Sequence, residues 1–124
     1  MCSFYFSNQY LGNLEELNKF LKPRGPDYTN LVEVDGYTLV HNLLSLTGEF
    51  TIQPLSKNNI HVLFNGEIYN FKDFDSNAKC DSEVIIDLYQ KYGPEFTSKL
   101  DGEYAILILD LNTKRIIFST DTFR

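Results

Sequence analysis

The fold follows first from residues 31–44, which read LVEVDGYTLVHNLL. Two runs rich in β-branched and aromatic residues, Leu31–Val34 and Tyr37–Leu44, flank the pair Asp35-Gly36. An Asp-Gly pair between two such runs is a strong signal for a two-residue turn, because both central residues of a type I′ turn need a positive φ. Residues 31–44 therefore predict a β-hairpin.

Further strands are predicted on both sides of this hairpin. They are Cys2–Phe6, Ile60–Phe64, Tyr104–Leu111 and Arg115–Ser119, the last after a turn at Asn112-Thr113. The pair Asn65-Gly66 directly follows the predicted strand Ile60–Phe64. Because Tyr104–Leu111 is apolar almost throughout, it is predicted to be a central strand buried on both faces.

Two helices are predicted between the strands. The first has Asn13 as its N-cap, Pro23 after its end, and an apolar stripe of Leu14, Leu17, Phe20 and Leu21. The second has Asp81 as its N-cap, Gly93-Pro94 at its end, and one apolar face of Val84, Ile85, Leu88, Tyr89 and Tyr92. Runs of strands with two well-separated helices indicate the α+β class.

Length and composition limit the kinds of function. A chain of 124 residues with 43% hydrophobic and 15% aromatic residues is long and apolar enough for one folded domain, which we expect over residues 1–124. A net charge of −6 argues against binding to nucleic acid or to an anionic membrane, since no basic patch meets the phosphates. No apolar run is long enough to cross a bilayer, and no signal peptide is recognised. The two cysteines, Cys2 and Cys80, are therefore expected to be reduced thiols in a cytoplasmic protein.

Cys2 is the clearest candidate for a reactive residue. It directly follows Met1, so removal of Met1 would place a thiol and a free α-amine on one residue. The two groups can act as nucleophile and base. The amine titrates near ~8 and the thiol near ~8.5, so both are partly reactive at neutral pH. Position alone equally fits an ordinary buried residue, so the rest of the chain has to decide.

Seven motifs occur in a fixed order along the chain. They are Arg24-Gly25-Pro26-Asp27, His41-Asn42-Leu43-Leu44-Ser45, Gln53-Pro54-Leu55, Asn65-Gly66-Glu67-Ile68-Tyr69-Asn70-Phe71, Asp81-Ser82-Glu83-Val84-Ile85, Leu100-Asp101-Gly102-Glu103-Tyr104-Ala105 and Thr120-Asp121-Thr122-Phe123. In this order the whole chain resembles the N-terminal glutaminase domain of asparagine synthetases, a class II glutamine amidotransferase. Glu67-Ile68-Tyr69 favours the asparagine synthetase branch over other class II amidotransferases.

The resemblance implies a fold and a set of catalytic roles. The fold would be the α-β-β-α sandwich of antiparallel sheets found in N-terminal-nucleophile hydrolases, truncated at the C-terminus and without a synthetase domain. Cys2 would be the nucleophile, and the Asn65 side-chain amide and Gly66 backbone N–H would form the oxyanion hole. Such donors add no charge, and glycine allows close approach of the backbone. Taken alone, Asn65-Gly66 equally fits a turn after a strand.

The resemblance also implies binding residues for a free amino acid. Glu67 and Asp81 match family residues near the glutamine amino group, and two carboxylates suit an ammonium. A helix N-cap explains Asp81 just as well, and a solvated charge explains Glu67. Cys/His clusters with metal-ligand spacing and Gly-rich phosphate loops are not found, so no metal or cofactor is expected. A Cys–His pair using His41 or His61 is disfavoured.

Several residues depart from the family pattern. Leu43 stands where the family has an Arg that binds the glutamine carboxylate. Losing such a charge-assisted hydrogen bond costs ~1.5–3 kcal/mol, or roughly 10–150-fold in affinity. Arg24 is the candidate replacement cation, although it also fits a role in holding its own turn. Ser3, Thr120, Thr122 and Arg124 replace usual family residues, and the loop Leu46–Ile52 is one residue shorter than usual.

The expected activity is therefore hydrolysis of glutamine to glutamate and ammonia through a Cys2 thioester. The ammonia would pass to a separate ATP-dependent synthetase, most simply one that makes asparagine. Two alternatives stay open: an N-terminal-Cys hydrolase for another small amide, and a non-catalytic module that docks on a synthetase. An unfinished sheet leaves a free edge, which also favours an oligomer of this chain or a protein partner.

Overall fold

The computed structural model describes residues 1–9, 12–46 and 48–123. In these residues seven strands form two antiparallel sheets. The first sheet contains β1 (Ser3–Ser7), β2 (Tyr28–Val34) and β3 (Tyr37–Leu43) in the order β1-β3-β2. The second contains β4 (Leu55–Lys57), β5 (Ile60–Ile68), β6 (Gly102–Asp110) and β7 (Arg115–Thr120) in sequence order. Arg124, which the sequence comparison singled out, lies outside the described residues, as does Thr47 of the loop Leu46–Ile52.

Three α-helices and three short 3₁₀ helices connect the strands in the described ranges. The α-helices are α1 (Leu14–Leu21), α2 (Phe71–Phe74) and α3 (Val84–Tyr92), and the 3₁₀ helices are Lys22–Arg24, Asp81–Glu83 and Gly93–Lys99. The predicted hairpin is confirmed: β2 and β3 pair antiparallel around Asp35 (φ 49°) and Gly36 (φ 81°).

The side chains of the two sheets alternate between two packing layers. Leu39 of β3 packs between the sheets with Leu63, Leu107 and Leu109 of β5 and β6. The intervening residues of β5 and β6 point to the other side of their sheet, where they form a core with α3; they are Ile60, Val62, Phe64, Ile106 and Ile108. Since α1 lies on the outer face of the first sheet, the layers follow the order α-β-β-α. The predicted α+β class with antiparallel sheets is confirmed.

Helix α1 is attached to its sheet by polar contacts. The Asn13 side chain accepts a hydrogen bond from the Glu16 backbone N–H at 3.2 Å, which confirms the predicted N-cap. The Asn18 and Asn42 amides exchange two hydrogen bonds of 3.1 and 2.7 Å. The face turned to the sheet therefore carries Asn18, and no residue of the apolar stripe is buried. Phe20 is 82% exposed.

Ser3 joins the same helix to the sheet. Its Oγ donates to the Leu21 carbonyl at 2.8 Å and accepts from the Asn42 side-chain amide at 3.1 Å. A glycine at this position would lose both hydrogen bonds. The replacement of the family glycine by Ser3 thus has a structural consequence next to Cys2.

Strand β5 is longer than predicted. Its ladder with β6 continues from Ile60 opposite Asp110 to Ile68 opposite Gly102, so Asn65 and Gly66 lie inside the strand. The interpretation of Asn65-Gly66 as a turn at the end of the strand is wrong, because β6 supplies backbone partners beyond it. Gly66 has φ 142°, which side chains rarely adopt, and a Cβ here would overlap the Glu103 carbonyl.

The start of the second helix also differs from the prediction. Asp81 begins a 3₁₀ helix, and α3 starts at Val84 without a side-chain cap. The Asp81 carboxylate instead accepts a hydrogen bond from the Ile68 backbone N–H at 2.9 Å. The N-cap assignment is wrong because this long-range contact with β5 holds the carboxylate away from the start of α3. The helix ends at Gly93 (φ 70°) as predicted.

His41 joins the two sheets, and its described hydrogen bond is not to a proposed catalytic residue. It is 1% exposed, and its Nε2–H donates to the Phe64 carbonyl at 3.1 Å. Burial lowers the pKa of His41 to about 4, with the Phe64 hydrogen bond opposing the shift. The neutral ring is therefore the form that the folded chain contains near neutral pH.

This burial predicts a loss of stability in mild acid. An unfolded histidine takes up its proton near pH 6.5, whereas folded His41 does so near pH 4. Its contribution is fully present above pH 6.5 and is lost as the pH falls towards 4, by roughly 3 kcal/mol at most. Urea unfolding at pH 7 and pH 4.5 measures how much the free energy of unfolding falls with pH. We expect this fall to be smaller for His41→Gln than for the wild-type protein. His61→Gln, which alters a more exposed ring, is the matched control, and an unchanged slope in His41→Gln would contradict the prediction.

Candidate active site

A cavity of about 220 Å³ opens between the ends of the two sheets. It brings together five of the six residues proposed from the sequence: Cys2, Asn65, Gly66, Glu67 and Asp81. These residues come from the start of the chain, the C-terminal part of β5 and the 3₁₀ helix before α3. Their convergence requires the whole fold, because no two of these three segments adjoin in the sequence.

Arg24 is the sixth proposed residue, and the structure does not bring it to the cavity. It is exposed at the end of the 3₁₀ helix Lys22–Arg24, and it does not line the cavity wall. The expectation that Arg24 replaces the missing cation is therefore corrected. The physical reason is the position of its turn, which packs on the outside of the wall formed by β3.

The turn around Arg24 instead supports that wall. The Asp27 backbone N–H donates to the Leu43 carbonyl at 3.0 Å, and the Asp27 carboxylate accepts from the Ser45 N–H at 2.8 Å. Gly25 lies so close to β3 that a Cβ would overlap the Asn42 carbonyl. These contacts fix the backbone from Asn42 to Ser45, which forms one side of the cavity.

Replacing Gly25 by alanine should therefore damage both stability and the cavity wall. The added methyl group must displace the backbone of β3, which we expect to cost about 2 kcal/mol. Urea or thermal unfolding measures this cost. Gly12→Ala is the matched control, because a Cβ at Gly12 meets no atom within 4 Å. Equal stability of the two variants would contradict the close packing of Gly25.

Cys2 is partly buried at the wall and contacts the backbone of Leu44. The Leu44 N–H donates to Sγ at 3.3 Å, and Sγ lies 3.7 Å from the Leu44 carbonyl oxygen. The position of the sulfur is thus set by the segment that the Asp27 carboxylate holds in place. Met1 also lines the cavity.

The Asn65 side chain is not committed to the fold. Its Oδ1 is buried and has no hydrogen-bond partner among the described residues. Buried polar atoms are nearly always paired in folded proteins, and an unpaired one calls for an explanation. Oδ1 is an acceptor, so a donor role towards an oxyanion would fall to the Nδ2 group of the same side chain.

Carboxylates reach the cavity from the second sheet and the 3₁₀ helix before α3, whereas Leu43 belongs to the first sheet. Glu67 lies directly opposite Glu103 in the ladder between β5 and β6. Burial raises the pKa of Asp81; the hydrogen bond from Ile68 opposes this shift, and the negative charge of Glu67 adds to it. An ammonium group bound here would favour the ionised form of Asp81 and relieve the repulsion between the two glutamates.

Two motif residues hold the strands that carry the site. The Gln53 side-chain oxygen accepts from the Phe64 N–H at 2.7 Å, one residue before Asn65. The buried Asp121 carboxylate accepts from the Tyr104 N–H at 2.9 Å. Both side chains thus position backbone next to the cavity, a role that their sequence motifs did not reveal.

Sequence reasoning also missed several groups in the cavity wall. The Leu44 N–H leaves no trace in the sequence, because it is a backbone group. Glu103 and Cys80 line the cavity as well, and Glu103 belongs to a motif that had suggested no role for it. The register of β5 against β6 was the missing information, since it places Glu103 opposite Glu67.

Comparisons with known proteins show the family of this chain. A family model described as "Glutamine amidotransferase domain" matches residues 1–123. The chain belongs to the glutamine amidotransferase domain family. Asparagine synthetase [glutamine-hydrolyzing] 3 of Arabidopsis thaliana is 37% identical over 116 residues, which covers 86% of this chain and 20% of that protein. The Homo sapiens asparagine synthetase [glutamine-hydrolyzing] is 36% identical over 114 residues, with 81% and 20% covered.

This glutamine amidotransferase domain thus spans about one fifth of the length of these relatives, 20% of each. Cys2 and Cys80 are free thiols in the structure. No helix within the described ranges is long and apolar enough to span a membrane. In the same ranges, no group of three or more His, Cys, Asp and Glu side chains is arranged to hold a metal ion.

Proposed function

We propose that this glutamine amidotransferase domain hydrolyses the side-chain amide of glutamine, or of a related small amide, through a thioester at Cys2. The observation that carries the proposal is that Cys2, Asn65 and Gly66 line one cavity, which places a thiol, a side-chain amide and a backbone N–H around the same space. A nucleophile and hydrogen-bond donors in one cavity are what acyl transfer requires.

The reaction begins at the Cys2 sulfur. After removal of Met1, the free α-amine of Cys2 accepts the thiol proton, and Sγ attacks the side-chain carbonyl carbon. The Asn65 amide and the Gly66 N–H stabilise the negative oxygen of the tetrahedral intermediate. The C–N bond then breaks, and ammonia leaves with a proton returned by the amine.

Water completes the cycle. It adds to the thioester carbon, the C–S bond breaks, and the side-chain carboxylate is released while Sγ regains its proton. The balance is one amide and one water converted to one carboxylic acid and one ammonia. Glu67 and Asp81 hold the α-ammonium of the substrate during these steps.

The ammonia is proposed to pass to a separate ATP-dependent amide-forming synthetase; in support, the names of the relatives combine a synthetase with glutamine hydrolysis. Exposed apolar residues support a protein partner. Ile116 and Phe118 lie on the face of β7 that continues the layer between the sheets, yet they are 46% and 62% exposed. Apolar residues in such a position are typical of interaction surfaces.

Intact-mass analysis combined with an ammonia assay tests the proposed function. We expect purified protein to lack Met1, to release ammonia from an amide substrate, and to add one equivalent of a glutamine-analogue electrophile at Cys2. Protein that keeps Met1 should be inactive, because its Cys2 nitrogen is part of a peptide bond. Equal activity with and without Met1 would overturn the mechanism.

A further inference from the structure

The wall of the cavity is acidic. Glu49, Glu67, Asp81 and Glu103 line it, and no Lys, Arg or His side chain does so among the residues that the structure describes. Lys79 pairs with Glu49 at 3.3 Å, and both side chains are largely exposed, so this charge is offset at the surface. Glu67, Asp81 and Glu103 remain, and they share the cavity with the single α-amine that Cys2 carries once Met1 is removed.

Two of these carboxylates belong to residues that face each other across the ladder between β5 and β6. Glu67 and Glu103 lie directly opposite in the ladder, and like charges in this position destabilise a sheet. Their field also reaches Tyr69, whose pKa is raised by partial burial and then by the charges of Glu103 and Glu67. A cation in the cavity would relieve this repulsion, whereas an anion would add to it.

The segment Leu43–Ser45 of the cavity wall offers a carboxylate no cationic side chain. Leu43 and Leu44 are apolar, and two backbone donors of this wall are already used, because the Leu44 N–H bonds to Cys2 and the Ser45 N–H bonds to Asp27. A substrate carboxylate placed here would lose water without gaining an ion pair, which is unfavourable. A neutral carbonyl suits the wall better, since the Ser45 hydroxyl can donate to it.

The rim of the cavity has room for a further group beyond that carbonyl. Leu46 and Tyr69 both line the cavity, although they are 73% and 57% exposed. Large side chains that are exposed at the mouth of a polar cavity provide packing surface for whatever extends out of it.

We propose that the cavity takes a glutamine whose α-ammonium is free and whose α-carboxyl is itself part of an amide, as at the N-terminus of a peptide. The inference rests on the proposed function, because it uses the same Cys2 thioester. The side-chain amide and one water give a side-chain carboxylate and ammonia, and the product is a peptide with an N-terminal glutamate.

Four small substrates test the inference on the wild-type protein with Met1 removed. L-glutaminamide and L-glutaminyl-L-leucinamide keep the ammonium and lack the carboxylate, L-glutamine has both charges, and Nα-acetyl-L-glutamine has only the carboxylate. We expect kcat/KM to be at least ~10-fold higher for glutaminamide than for glutamine, and lowest for the acetylated compound. Chromatography against standards has to show that the side-chain amide of glutaminamide is the one cleaved.

The dipeptide amide shows whether the cavity accepts a peptide or only a small amide. A kcat/KM at least equal to that of glutaminamide is expected for L-glutaminyl-L-leucinamide, because its leucine can pack on the rim. If only glutaminamide is cleaved, the peptide part of the inference is overturned. If glutamine is cleaved as efficiently as glutaminamide, or more so, the inference fails and the proposed function stands. If none of the four amides is cleaved, both fail.

A charge-neutralising variant tests the acidic wall without changing its shape. Glu103→Gln should lower the preference for glutaminamide over glutamine several-fold, because one repulsive charge is removed. Glu95→Gln is the matched control, since Glu95 is exposed outside the cavity. An unchanged preference in Glu103→Gln would overturn the electrostatic basis of the inference.

Leu43→Arg tests the segment Leu43–Ser45 of the cavity wall. The new guanidinium should pair with the carboxylate of glutamine and strengthen its binding by roughly 10–150-fold, while glutaminamide gains nothing. Leu43→Met is the control for packing, because Leu43 is only 7% exposed. A folded Arg variant with unchanged selectivity would contradict the inference, and the comparison on wild-type protein decides the case if the variant does not fold.

Discussion

Replacing Cys2 by alanine is expected to abolish ammonia release, by roughly 10⁴–10⁶-fold, while the fold stays intact. The loss is large because the proposed mechanism forms its thioester at the Cys2 sulfur, with the α-amine of the same residue as the base. The side chain is small and only partly buried, so the melting temperature should change little. The measurement is ammonia release by protein from which Met1 has been removed.

The second thiol provides the control for this experiment. Cys80 also lines the cavity, and its sulfur lies 3.2 Å from the Thr51 hydroxyl and 3.3 Å from that of Ser82. Cys80→Ala should still add one equivalent of the glutamine-analogue electrophile, whereas Cys2→Ala should add none. Substantial activity in Cys2→Ala would assign the nucleophile to another group and overturn the proposed mechanism.

Replacing Asn65 by alanine is expected to lower turnover by roughly 10²–10³-fold and to change KM much less. The reason is that an oxyanion donor contributes mainly in the transition state. Asn65→Asp, which keeps the shape but removes the donor, should be at least as damaging. A raised KM with unchanged turnover would instead assign Asn65 to substrate binding in the ground state.

The parts of the fold that depend on neighbours in sequence could be predicted. The hairpin at Asp35-Gly36 follows from backbone preference, and the end of α3 at Gly93 follows from helix termination. The central strand β6 also matches its apolar pattern, since β5 and β7 flank it and most of its side chains are buried. In each case a short stretch carries the whole signal.

The parts that depend on distant contacts could not be predicted. Asn65-Gly66 has the composition of a turn, yet pairing with β6 keeps it extended. Asp81 is a residue type that often caps a helix, yet its carboxylate accepts a hydrogen bond from the Ile68 backbone N–H instead. The stripe on α1 has helical spacing, yet the sheet beneath offers the polar side chain of Asn42, so Asn18 turns inward.

In the site, too, some residues could be predicted from the sequence and others depend on distant contacts. The resemblance of the motifs identified Cys2, Asn65, Gly66, Glu67 and Asp81 as candidates, and the structure brings all five to one cavity. Arg24 failed as a candidate because its turn packs outside the wall, a fact that depends on how Gly25 meets β3. The catalytic roles of the five residues stay predictions until the variants are measured.

The position of Met1 in the cavity wall has a practical consequence for recombinant production. An affinity tag fused ahead of Met1 would continue directly from the cavity and fill the space that a substrate needs. A removable leader that is cut to expose Cys2 would leave the cavity clear.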